Sequence, residues 1–356
     1  MSLGCGRRHR SRRRARGSGQ ARPVTIGQPG SGELGGRVAS EASASVVIPT
    51  YNRAELVLRA VASVQRQSLD DWELLVVDDA STDDTRVLIE DLEDPRIRYV
   101  PRDVNGGVAA AQNTGLDRAV GRHVLFLHSD DELMPECLSR LTDVLEHAPP
   151  EIGGVEAGLE IVERGATVRR GPYLEGADDR ALLGFQSGVH IATLLLKREV
   201  AAAVRFDDDL RGVEDRDFCV RLLRTTTLGF EPEPLVRIHR SREGLTAQPK
   251  GPIYEYLLGK YHDDIVAAPA MHADWWFGIA RSYERDDDLD RARSAMRQAV
   301  RIHPARMRRW PLWAASCLGD RAFSLALGGY RATARMLSPR GADDQTDGMR
   351  TTKRVP

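Results

Sequence analysis

The sequence predicts an α/β fold: a doubly wound, mixed sheet with a ligand crevice at the carboxyl ends of its strands, followed by a smaller α-helical region. Three observations carry this reading. From residue 45, apolar runs of strand length alternate with runs of helical period; nearly every strand-like run ends in a polar cluster; and the late part of the chain keeps only the helical period. Alternating β and α units bury a sheet between helices, and such sheets bind ligands just beyond their carboxyl ends. The expected organisation is a disordered basic tail over residues 1–42, an α/β domain over 43–247, an α-helical region over 248–338 and a disordered tail over 339–356.

Taken in order, "SVVIP" is the first strand and "AELVLRAVASVQRQ" the first helix. "WELLVV" and "DDTRVLIEDLED" repeat the pair, and "IRYVP", "GGVAAAQNTGLDRAV" and "HVLFLH" add strand, helix and strand. The polar clusters "PTYNR", "DDASTD" and "HSDDE" follow the first, second and fourth strands, so the topology collects them at one edge. Ser81 or Thr82 before Asp84 is also typical of a helix start. Beyond residue 150, "IGGVEAGLEIVERG" reads as strands around a turn and "HIATLLLKREVAAAV" as a strand running into a helix. "RFDDDLRGVEDRDFCVRLLRT" is an acidic loop opening a helix; Pro232 and Pro234 close the unit before a last strand, "LVRIHRSREGL". Residues 273–304 carry Trp276, Ile279, Ala280, Tyr283, Ala292, Ala299 and Pro304 at the positions of one tetratricopeptide helix pair. A single pair cannot bury its own face, so it is expected to dock on the preceding domain or on a helix near residues 312–336.

Charge is segregated along the chain. Residues 1–40 hold nine arginines against one glutamate, a net of +8, and residues 291–356 hold fourteen bases against four acids, a net of +10. The 28 bases and 47 acids between them leave −19 in the middle. An acidic core argues against nucleic acid and for a cation, while basic ends permit peripheral contact with anionic lipid. Cys5, Cys137, Cys219 and Cys317 lie far apart with no metal-type spacing, which fits a reducing, cytoplasmic setting. No apolar run reaches membrane-spanning length, since Asp320 and Arg321 interrupt the best late stretch. The opening "GRRHRSRRRARGSG" lacks a signal peptide's apolar segment and reads as a disordered tail or a misplaced start.

The adjacent carboxylates Asp130 and Asp131, at the exposed end of a buried strand, suit a hard cation that retains waters and phosphate oxygens. With "SVVIPTYNRAELVLRAVASVQRQSLDDWELLVVDDASTDDT", "NGGVAAAQNTGLDRAVGRHVLFLHSDDEL" and "VEDRDFCVRLL" in this order and spacing, residues 45–242 resemble the family 2 glycosyltransferases of the GT-A fold. The resemblance implies an inverting transfer from a nucleoside diphosphate sugar to a saccharide or lipid-linked acceptor hydroxyl, with Mg²⁺ or Mn²⁺ as cofactor. It puts Pro49, Thr50 and Tyr51 beside the base, with Tyr51 stacking, and Asp79 as acceptor for the base or ribose. Asp130 is expected at the ribose or a metal water, Asp131 and late His239 at the metal, and Asp215 as the base that takes the acceptor proton. Glu214 and Asp217 are expected to tune that base, and Arg221 to pair with Asp217 one turn away. Two departures stand out: His128 occupies a position where many members have Asp, and Gln112 replaces an Arg before Asn113.

Two rival readings exist. A nucleotidyltransferase or dehydrogenase is disfavoured because "PTYNRAE" has neither a G-x-G-x-x-G nor a phosphate loop with Lys. A noncatalytic scaffold is disfavoured by the retention of Asp79, Asp131 and Asp215 together.

Overall fold

The computed structural model describes residues 42–163, 165–239 and 251–304, with isolated positions between 314 and 326. Residues 1–41 of the first expected tail, the whole of the tail at 339–356 and nearly all of the stretch at 312–336 lie outside the described residues.

The first half of the sheet forms as the alternation predicts. Strands β1 (Ala44–Thr50), β2 (Trp72–Asp78), β3 (Ile97–Pro101) and β4 (His123–Phe126) are parallel, joined by α1 (Ala54–Gln65), α2 (Thr85–Glu90) and α3 (Val108–Arg118). All but the edge strand β3 are buried along their length, as expected for strands covered on both faces. Helix α2 is half the length that its sequence suggests. Asp83 takes the Thr85 N–H and hydroxyl, which delays the start, and Glu93 at φ +47° turns the chain away before Asp94 engages the Arg96 N–H.

The second half is mixed. β5 (Glu132–Leu133) and α4 (Cys137–Glu146) lead to β6 (Ile152–Glu163), β7 (Ala166–Arg170), α5 (Asp179–Leu183) and a 3₁₀ turn at Ile191–Thr193. β8 (Leu194–Lys197), α6 (Arg198–Val204), α7 (Glu214–Thr225) and β9 (Thr227–His239) complete the sheet. Its order is β3-β2-β1-β4-β8-β6-β9-β5, with β7 paired to β6. Residues 152–163 form one long strand and turn only at Gly165, φ +79°. The earlier glycines serve contact instead: a Cβ on Gly158 would stand 2.5 Å from the Pro232 carbonyl, and one on Gly154 would stand 2.4 Å from Leu196 Cδ2. Pro232 and Pro234 do not end the unit. They lie within β9, where its register against β6 shifts, a place that tolerates residues without an N–H.

The C-terminal helices α8 (Gly251–Lys260), α9 (His262–Val266), α10 (Pro269–Arg285) and α11 (Leu289–Ile302) dock on the sheet domain, and the described residues belong to one compact unit. Trp275 donates its indole N–H to the Leu183 carbonyl at 2.9 Å. Asp217, 1% exposed, accepts from the Tyr261 hydroxyl at 2.7 Å, lies 2.7 Å from the Lys260 ammonium, and pairs with Arg221 at 2.5 Å. This carboxylate fastens the helical region to α7. Asp217→Asn is therefore expected to cost about 3 kcal/mol, because it leaves two cations beside a neutral amide in a dry site. Urea unfolding checks this, with an unchanged midpoint as the contrary result.

Candidate active site

Parallel register brings the polar loops together. Thr50 aligns with Asp78, and Asp78 with Pro101, so the loops after β1, β2 and β3 leave the sheet at one level, beside the loop after β4. Asn52, at φ +50°, joins the first two: its N–H donates to Ser81 Oγ and its Oδ1 accepts from the Thr82 N–H, each at 2.8 Å. Asn52 and Ser81 thus build the turn. Pro49 and Thr50 are buried at the end of β1, while the Tyr51 ring, 46% exposed, faces outward.

The two acids after β2 have different surroundings. Asp78 accepts from the Ser81 N–H at 2.9 Å and the Tyr99 hydroxyl at 2.5 Å, which makes it a structural tie between β2, β3 and the loop. Asp79 organises the loop after β3: Oδ1 accepts from Arg102 and from the Gly106 N–H, and Oδ2 accepts from the Gly107 N–H at 2.7 Å. Gly107 sits at φ +89°, a conformation suited to glycine. A carboxylate offers about four lone-pair positions, so Asp79 keeps one on Oδ2 for a further donor. Arg102 was not singled out by the sequence, because nothing local marks it as the partner of an acid 23 residues away.

Beyond β4 the acid pair divides. Asp130 Oδ2 pairs with Arg53 at 3.0 Å, and its carbonyl accepts from Arg59. Asp131 is 2% exposed; Oδ1 accepts from the His239 N–H at 3.1 Å, while Oδ2 lies 3.5 Å from His128 Nδ1 and 3.6 Å from His190 Nε2. On its other side, His128 Nε2 stands 3.7 Å from Asp215 Oδ2, and the two imidazole rings meet edge to face at 5.2 Å. His128 therefore spans the gap between Asp131 and Asp215. The His239 imidazole is not in this cluster; it contacts Glu132 at 2.7 Å, and only its backbone N–H reaches Asp131. His190 occupies the place expected for His239. Antiparallel pairing explains why: Leu125 aligns with Leu195, so the start of β8 meets the end of β4 and delivers His190 to the same edge.

Helix α7 begins with Glu214, Asp215, Arg216 and Asp217, whose side chains diverge. Glu214 turns back to the Gly212 N–H, Asp215 faces His128, and Asp217 faces the C-terminal helices. Asp215 Oδ1 is buried with no hydrogen-bond partner among the described residues. Asn113 holds the chain leading to α7, accepting from the Phe206 N–H and donating to its carbonyl, each at 3.0 Å. Buried Gln112 leaves both amide atoms without a partner among the described residues.

Electrostatics follow from this crowding. Burial works most strongly against charge on His128, but the hydrogen bond to Asp131 and the charges of Asp215, Asp131 and Asp130 overcome it and raise the imidazole to about 10. Burial, reinforced by the His128 charge, lowers His190 despite the pull of Asp131. The two imidazoles hold Asp131 below the usual carboxylate range against its own burial, and burial followed by the Asp215 charge pushes Glu214 up.

His128, Asp131 and His190 fit a divalent cation, since their ligand atoms all lie within 4.8 Å of one another. Two ligands held about 2.0–2.1 Å from one ion stand about 3.0 Å apart in octahedral and about 3.4 Å apart in tetrahedral geometry, close to the separations from Asp131 Oδ2 to each imidazole. Binding there requires His128 to release its proton.

Residues 45–195 match the model for glycosyl transferase family 2. An amylovoran biosynthesis glycosyltransferase of Erwinia amylovora is 28% identical over 61% of this chain and 75% of its own. A GalNAc(5)-diNAcBac-PP-undecaprenol beta-1,3-glucosyltransferase of Campylobacter jejuni is 42% identical over 27% of this chain, and the match spans about a third (32%) of that protein's length. Among solved structures, S. aureus TarS in complex with UDP-GlcNAc superposes with a TM-score of 0.59 at 20% identity, covering 82% of this chain and 92% of that one, a likeness of fold. Among the described residues no helix is long and apolar enough to cross a membrane.

Proposed function

We propose, from the match of residues 45–195 to the glycosyl transferase family 2 model, a metal-dependent, inverting transfer of one sugar from a nucleoside diphosphate sugar to an acceptor hydroxyl. The observation that carries the reading is the line from Asp131 through His128 to Asp215, which sets a cation site beside a carboxylate with an unpartnered oxygen. Single displacement needs those two functions on opposite sides of one reacting carbon.

In this reading Tyr51 stacks on the base, bordered by Pro49 and Thr50, and Asp79 offers its remaining lone pair to a base or ribose donor. Asp130, steadied by Arg53, meets the ribose or a metal water. Asp131, His128 and His190 hold the cation, with His239 supporting Asp131 through its N–H. Of Mg²⁺ and Mn²⁺, the latter accepts imidazole nitrogen more readily. A bound cation neutralises charge on the departing diphosphate. Asp215 takes the acceptor proton as the hydroxyl attacks, and Glu214, disfavoured as a second anion by burial, leaves that role to its neighbour.

Relatives named for amylovoran and undecaprenol-linked glycan synthesis support a role in polysaccharide or glycoconjugate synthesis with a saccharide or lipid-linked acceptor. The test is a screen of uridine, guanosine and thymidine diphosphate sugars, reading nucleotide release with and without Mn²⁺. Absence of Mn²⁺-dependent release from every donor would remove the assignment.

For a lipid-linked acceptor, peripheral association with the cytoplasmic membrane face follows from the +8 and +10 ends, most of which lie outside the described residues. Sedimentation with anionic vesicles is expected at low salt and is lost at high salt, because exposed charges are screened. No binding at low salt would oppose it.

A further inference from the structure

Arg216 lies between Asp215 in the site and Asp217 at the C-terminal helices, and it is a buried cation with no carboxylate partner among the described residues. Its guanidinium donates to the Leu182 carbonyl at 2.8 Å and the Ser187 carbonyl at 3.3 Å, and stands 4.5 Å above the Phe185 ring. Phe185 holds φ +53°, an unfavourable conformation for a bulky residue that persists only where surroundings enforce it. Trp275 packs with its centroid 4.9 Å from that ring while donating to the Leu183 carbonyl. Three residues past Ser187 the segment delivers His190 to Asp131. At its outer end, Glu156 accepts the Tyr173 and Leu174 N–H groups, and the Thr193 hydroxyl that Glu156 also meets bonds the His190 carbonyl.

An uncompensated buried charge is an expensive way to close a loop that an amide or a packed aliphatic could close. What the guanidinium adds is one planar nitrogen, Nη1, whose two N–H groups meet both carbonyls in fixed directions. From this geometry we infer that Arg216 is a positioning residue that locks segment 182–190 to the start of α7, so that Asp215 and the wall carrying His190 keep one geometry toward the acceptor. The inference rests on the glycosyltransferase reading and deepens it, because it makes the C-terminal helices part of the acceptor side through Trp275. The donor loops after β1, β2 and β3 lie outside this lock.

The test compares wild type with Arg216→Gln, Arg216→Lys and Trp275→Phe. Steady-state turnover with acceptor is read beside calorimetric binding of the nucleoside diphosphate that wild type releases, and beside thermal melting. For Arg216→Gln the expected result is a 10- to 100-fold loss in turnover with nucleotide affinity within about two-fold, the scale on which a small misplacement of reacting groups acts. Arg216→Lys is expected to lose nearly as much, because a rotatable ammonium on a shorter reach does not hold the two carbonyls in one fixed plane. Trp275→Phe keeps the packing, removes one donor, and is expected to lose several-fold in turnover alone, which preserves the test if Arg216→Gln fails to fold. Normal turnover in folded variants, or loss of turnover, affinity and melting temperature in proportion, would overturn the inference. A wild type that releases no nucleotide would instead overturn the reading beneath it.

Discussion

Asp215→Asn is expected to lower turnover by about 10²- to 10⁴-fold while donor affinity stays within a few-fold. The carboxylate faces His128 and shares no hydrogen bond with Asn52 or Asp79, so its removal leaves the ties of those loops in place. An amide fills the same volume but cannot take a proton. Steady-state rates with a competent acceptor, beside donor titration by calorimetry, separate chemistry from binding. Near-normal turnover would move the base elsewhere. Glu214→Gln should lie closer to wild type, since this acid turns inward to the Gly212 N–H and acts on Asp215 only through its charge.

Asp131→Asn is expected to abolish the Mn²⁺ dependence of nucleotide binding, a loss on the order of 10²-fold at saturating metal, with the fold intact. The amide oxygen can still accept the His239 N–H, so the contact between the β4 loop and the end of β9 survives. The charge between the two imidazoles does not survive, and without it the cluster of His128, Asp131 and His190 loses its one carboxylate ligand. The same change removes the main support for a proton on His128, so its imidazole should titrate well below the wild-type value of about 10. Nucleotide titration with and without Mn²⁺, beside histidine titration by NMR, reads both effects. Undiminished Mn²⁺-dependent affinity would sink the metal assignment, and an unmoved His128 would mean that the 3.5 Å contact carries no charge coupling.

Much of this candidate site is legible in the sequence. Asp78, Asp79, Asp130 and Asp131 follow apolar runs, and the rule that parallel strands present their carboxyl ends together suffices to gather them. The pairing of Arg221 with Asp217 was equally accessible, because a helix sets four-residue neighbours on one face. His190 was not accessible: a lone histidine before an apolar run carries no signal until β8 is known to lie antiparallel beside β4. The position of His239 in the chain suggests a metal ligand, yet its imidazole turns to Glu132 and only its backbone meets Asp131. Asp217 looked like one more acid at a helix start, and only the docking of Tyr261 and Lys260 made it a buried junction.

By itself, then, the sequence determined the β-α alternation, the edge at which the candidate site lies and the acids gathered there. These are consequences of periodicity and chain order, which act within a few residues or through one topological rule. The tertiary structure alone decided which partner each side chain meets. Asp79 was committed to Arg102 and the glycines after β3, His128 was placed between Asp131 and Asp215, and Arg216 was turned to the carbonyls of segment 182–187. Such choices depend on distances between segments far apart in the chain. Those distances are set by strand order and by the packing of whole elements, quantities that no local pattern of residues contains.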